Sequence, residues 1–114
     1  LQVQPLPKDD QDFIVFSVSP SIIDFGDMKA GDAKSKVVNL SNNGSQDLYI
    51  MAEVTGAQVF KSNLAVNGSA WNNFSENIIR DSSSDIQLRF SIPSNYSGSF
   101  GSQEGELTFW ATAQ

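Results

Sequence analysis

Apolar and polar residues alternate with a period of two along most of this chain, which is the signature of half-buried β-strands. Between residues 13 and 18, Ile14, Phe16 and Val18 share one face. Pro20 cannot donate a ladder hydrogen bond, so the strand ends or changes sheet there, and Ile22, Ile23 and Phe25 resume an edge strand. Lys34 to Ser41 reads as a strand with Val38 and Leu40 inward, followed by Asn42-Asn43-Gly44 as the positive-φ residues of a tight turn. From Asp47 to Thr55, Leu48, Ile50, Ala52 and Val54 face in while Tyr49, Met51 and Glu53 face out, and Gly56 closes the strand. Residues 57–80 are less regular. Val59-Phe60 and Leu64-Ala65-Val66 read as short strands, Asn67-Gly68-Ser69 as a turn, and Ile78-Ile79 as a return to the core. Asp81 to Asp85 reads as a loop. Ile86, Leu88, Phe90 and Ile92 then alternate with Gln87, Arg89 and Ser91 until Pro93 stops the pattern. Ser94 to Gln103 is a Ser/Gly-rich loop. The last strand, Glu106 to Ala113, turns Leu107, Phe109 and Ala111 inward and Thr108 and Trp110 outward.

No long window keeps a helical period. The pattern predicts an all-β fold, an immunoglobulin-like β-sandwich of about seven antiparallel strands in two sheets. The 114 residues suffice for one domain with its own core. Its expected extent is 13–114, preceded by a flexible linker over 1–12, where two prolines lie close to the polar run Lys8-Asp9-Asp10-Gln11-Asp12.

Composition narrows the function more than the fold. The net charge of −6 repels nucleic acid and anionic membrane surfaces. The chain has no cysteine and no histidine, which removes disulfides, thiolate chemistry, zinc-thiolate sites and the commonest general base. No cofactor is expected. No signal peptide or membrane span is read, and the Leu1 to Pro7 opening resembles a linker within a longer protein, as in an excised ectodomain.

Candidate chemistry is sparse. Asp24, Asp27 and Asp32 lie close in sequence but lack calcium-loop spacing and read as solvated turn acids, as do Asp9, Asp10 and Asp12. Glu104 and Glu106 could share a face, yet no aromatic groove for a glycosidic substrate accompanies them. Ser35 between Lys34 and Lys36 does not have the spacing of a Ser/Lys nucleophile, and with Lys29 these lysines read as a solvated strand edge. No catalytic or metal residue is therefore assigned. Five Asn-x-Ser sequons occur, at Asn39, Asn43, Asn67, Asn73 and Asn95, more than this composition gives by chance. Asn43, Asn67, Asn73 and Asn95 are the candidate N-glycosylation sites, and Asn39, inside a strand, is the poorest. Among the aromatic residues Tyr49, Trp71, Tyr96 and Trp110, the pair Tyr49 and Trp110 on one sheet face is the candidate contact for a sugar or a partner protein.

Ser19-Pro20-Ser21-Ile22-Ile23-Asp24-Phe25-Gly26, then Gly31, then Val38 to Gly44 resembles the immunoglobulin-like domains related to the Hydin and major-sperm-protein modules. It is closer still to the choice-of-anchor domains of archaeal and bacterial surface proteins. Leu48-Tyr49-Ile50, Ile86 to Pro93 and Gly105 to Phe109 extend the resemblance over roughly residues 14–113. The resemblance implies a sandwich with Phe25 plugging its open end, Gly26 turning the backbone beside that plug, and no active site. A further strand often follows the closing one in such domains. Here either the N-terminal strand completes the sheet or an edge is left open. The expected function is a non-catalytic extracellular structural or adhesion module at a prokaryotic, archaeal cell surface. Its expected partners are neighbouring domains or other envelope proteins, with glycans as a further class, and with neither nucleic acid nor membrane insertion. Alternatives are the soluble domain of a pilus- or archaellum-like filament subunit, a carbohydrate-binding module and a cytosolic scaffold module.

Overall fold

The computed structural model describes residues 1–7, 15–97, 101 and 103–113. Nine strands are found among them: β1 (Gln2–Pro7), β2 (Phe16–Ser19), β3 (Ala33–Asn42), β4 (Leu48–Gly56), β5 (Leu64–Val66), β6 (Ser69–Ala70), β7 (Ser75–Ile78), β8 (Ser82–Ser91) and β9 (Gly105–Ala113). A short helix α1 (Gln58–Asn63) and a 3-10 turn (Trp71–Asn73) interrupt them. One sheet runs β1-β9-β4-β7 and the other β2-β3-β8-β5-β6. Their inner faces enclose a single core in which Val38, Leu40, Ile50, Val66, Ile86, Leu88, Leu107, Phe109 and Ala111 are fully shielded from solvent. The fold is a β-sandwich, as the alternation predicts, because each period-two strand can bury one face only against a second sheet.

The N-terminus departs from expectation. Gln2–Pro7 is an edge strand lying parallel to β9, so residues 2–7 are part of the sandwich and not a linker, and the strands are not all antiparallel. Residues 8–12 of the expected linker, with Ile14, lie outside the described residues. The prolines misled because they suit an edge. The Val3 N–H donates to Ser21 O at 2.8 Å, away from β9. Pro5 and Pro7 share that parity, so their missing N–H groups remove no bond from the β1–β9 ladder. Val3 fills the core, with 3% of its surface exposed.

Pro20, after a cis peptide bond, does mark a change of sheet. β2 pairs with β3, whereas Ile22 bridges Gln2 in the opposite sheet. Ile23 and Phe25 enter the core, but Ile22 is exposed, as is Ile79 beyond Ile78. Phe25 closes one end of the sandwich against Phe90 and Phe60, with ring centroids 5.2 and 6.4 Å away, and Gly26 turns beside it at φ 72°.

Three local assignments change. Val59 and Phe60 belong to α1, not to a strand; its six residues are too short to register as a helical period. Ser82 to Asp85 belong to β8, because their polar side chains line the sheet edge opposite Asn42 to Asn39. Asn42-Asn43-Gly44 is not a positive-φ hairpin turn; none of the three has positive φ, and β3 and β4 lie in different sheets. The segment is a crossover held by Asn42, whose side chain is 1% exposed. Its Nδ2 donates to Gln46 O at 2.8 Å and to Ile78 O at 2.9 Å, and its Oδ1 accepts from the Gly44 N–H at 3.1 Å. At the same end, Asp47 accepts from the Arg80 N–H at 2.9 Å and steadies the second crossover, β7 to β8, where Asp81 takes φ 56°. By contrast Asn67-Gly68, with φ 51° and 85°, forms the predicted hairpin turn between β5 and β6.

Candidate partner-contact face

The solvent side of the four-stranded sheet carries the large side chains that β4 and β9 turn away from the core. The register sets Met51 opposite Trp110 and Tyr49 opposite Thr112, so Tyr49 and Trp110 are diagonal neighbours on one face. Leu6 of β1 lies on the other side of Trp110. An apolar row thus crosses three strands, with Tyr49 37% and Met51 44% exposed.

The strand alternation pairs Tyr49 with Trp110 and assigns Trp71 no facing direction. The structure brings Trp71 to the same face. Its Nε1 donates to Lys61 O at 2.8 Å, which fixes the ring at the C-terminal part of β4. Together Trp71, Trp110, Met51, Ala52, Glu53 and Asn72 line a groove of about 350 Å³. Two indoles and a thioether supply apolar surface, while Glu53 and Asn72 supply a carboxylate and an amide at the rim. Trp71 carried no signal because it lies in a 3-10 turn, where no strand or helix period reveals a facing direction. A second cleft, of about 850 Å³, opens at the Phe25 end over Phe25, Phe60 and Phe90.

The remaining candidates are scattered. Asp24 Oδ1 accepts from the Gly26 N–H at 2.7 Å and Asp32 Oδ2 from the Lys29 N–H at 3.0 Å, so both carboxylates tie turns together. The Lys34 ammonium donates to Phe25 O and Asp27 O at 2.9 and 3.0 Å and thereby holds that loop. Glu106 accepts from Gln4 Nε2 at 2.8 Å, while the Glu104 carboxylate stands at an exposed position. Among the described residues no group of three or more acidic side chains is placed to hold a metal ion, and no helix is long and apolar enough to cross a membrane.

Asn43, Asn67, Asn73 and Asn95 are all exposed. Asn67 Oδ1 accepts from the Gln87 N–H at 3.0 Å, a bond that leaves its Nδ2 uninvolved. Asn39 differs: its Nδ2, the atom a glycan would take, donates to Asp85 Oδ1 at 3.0 Å, and its Oδ1 accepts from Ser41.

Compared with known proteins, the chain matches no family model and none of the curated sequences.

Proposed function

We propose that this domain is a non-catalytic structural and adhesion module of an extracellular, cell-surface protein. In this reading it contacts neighbouring domains or other envelope proteins through the outer face of its four-stranded sheet. The observation that carries the reading is the row Leu6, Trp110 and Met51 with Tyr49 and Trp71, an aromatic surface on an otherwise acidic chain. The exposed sequon asparagines and the resemblance to surface-protein domains support the same setting.

The test is sedimentation with purified envelope from the native host, comparing the wild type with the Met51→Ser/Trp110→Ser variant. The variant should keep a cooperative thermal transition and lose roughly tenfold in affinity, as expected when central aromatic contacts are removed. Equal retention of a folded variant would sink the reading. A carbohydrate-binding role is the second reading, favoured by the groove in which two indoles meet a carboxylate and an amide. It predicts that enzymatic removal of envelope glycans abolishes wild-type binding, whereas a protein partner predicts that binding survives.

Export and modification have their own readout. Intact mass of the chain isolated from its native host should exceed the sequence mass by glycan increments, and peptide mapping should place them on Asn43, Asn67, Asn73 or Asn95 and not on Asn39. An unmodified mass would remove glycosylation from the proposal.

A further inference from the structure

We infer that β1 is an exchangeable strand: in assemblies of this chain, Gln2–Pro7 of one copy fills the β9 edge of another copy, in place of that copy's own β1. The inference stands on β1 itself, whichever partner the Trp110 face holds.

β1 is bound almost wholly by elements remote from it in sequence. It lies parallel to β9, with Gln2 opposite Glu106 and Gln4 opposite Thr108. Gln4 Nε2 donates to Glu106 Oε1 at 2.8 Å and to Thr108 Oγ1 at 3.1 Å. On its other side β1 meets Ser21 to Ile23 through the Val3 N–H to Ser21 O and the Ile23 N–H to Leu1 O. No turn joins β1 to either neighbour. Every one of these contacts would be reproduced by the identical strand of a second copy, which is the condition under which exchange has little cost in contacts.

The slot needs an occupant. Without β1, the outer edge of β9 would present unpaired N–H and C=O groups, and the core would lack Val3. Among the described side chains of β1, Val3 is the one in the buried core, and the rest of the strand is held by its pairing with β9 and by Gln4. Once seated, β1 resists further edge pairing, because Pro5 and Pro7 leave its outer side without donors at those positions. Exchange can therefore join copies without open-ended stacking of sheet edges.

The connection from β1 to β2 is eight residues long. β1 ends beside Ala111 and β2 begins beside Asn42, at the same end of the sandwich. Nine Cα–Cα steps separate Pro7 from Phe16, a reach of at most roughly 32 Å at full extension. Packed sheets are only about 10 Å apart. The linker is therefore longer than the spacing between the two sheets.

The absence of cysteine makes the test direct. Gln4→Cys chains and isotopically labelled Thr108→Cys chains are unfolded together, refolded at high concentration and treated with a short bismaleimide. Cross-linked species are then assigned by mass. Exchange predicts a Gln4→Cys to Thr108→Cys heterodimer roughly tenfold more abundant than either homodimer, since only a strand seated in another copy aligns the two thiols. The pair Gln2→Cys and Glu106→Cys repeats the test at a second register position. Heterodimer no more abundant than the homodimers in both pairs would overturn the inference.

Discussion

Replacing Asn42 by leucine should destabilise the domain by about 4 kcal/mol, measured by urea unfolding, because three backbone groups lose a buried partner at once. The Asn42 amide donates to two carbonyls, Gln46 O and Ile78 O, and its Oδ1 accepts from the Gly44 N–H. Leucine keeps the heavy-atom count and branching of asparagine but is bulkier, so it leaves no cavity and the loss combines orphaned polar groups with some overpacking. Asn42→Asp sharpens the test. It keeps the acceptor for Gly44 but turns a carboxylate oxygen toward the two carbonyls, so it should be at least as damaging as leucine. A cost below about 1 kcal/mol for either variant would mean that water replaces the amide readily and that Asn42 does not hold the crossover.

Gly56→Ala should cost about 3 kcal/mol, from backbone strain and overpacking combined. Gly56 sits at φ 98°, a region that residues with a Cβ rarely adopt. It also pairs with Gly105 across β4 and β9, and an added Cβ would lie 2.7 Å from Gly105 Cα and 2.9 Å from Glu104 O. Both are backbone atoms that cannot rotate aside. Gly68→Ala is the matched comparison, because Gly68 also has positive φ, at 85°, but open space where the methyl would go. It should cost only about 1 kcal/mol, the strain alone. If the two variants unfolded at the same urea concentration, close approach of the strands would have no energetic role at Gly56.

These two sites explain why so much of the architecture, and so little of the partner-contact face, was legible along the chain. Leu48 to Val54, Ile86 to Phe90 and Leu107 to Ala111 each fill one side of a strand, and a period of two reveals that side without any knowledge of the partner. Asn42, in contrast, looked like one residue of a hairpin turn, because Asn-Asn-Gly suits hairpins and also suits a crossover between sheets. The choice depends on Ile78, thirty-six positions away. Tyr49 and Trp110 were recognised because both lie at outward positions of regular strands. Trp71 joined them only when the bond from its indole to Lys61 O fixed where the ring stands.

The sequence by itself determined that this is an all-β sandwich and which apolar residues of its long strands turn into the core, although Thr108, at an outward position of β9, is buried beside Gln4 of β1. Those properties follow from side-chain alternation, a local consequence of strand geometry. It also determined that a chain without histidine or cysteine offers few groups for catalysis or metal binding. Only the tertiary structure decided that Gln2–Pro7 is a parallel edge strand, that Asn42 fastens a crossover, and that Trp71 and Trp110 share a groove. Each of these depends on pairing between segments far apart in the chain, set by which free edge and which gap the folded core presents. No local period encodes that choice.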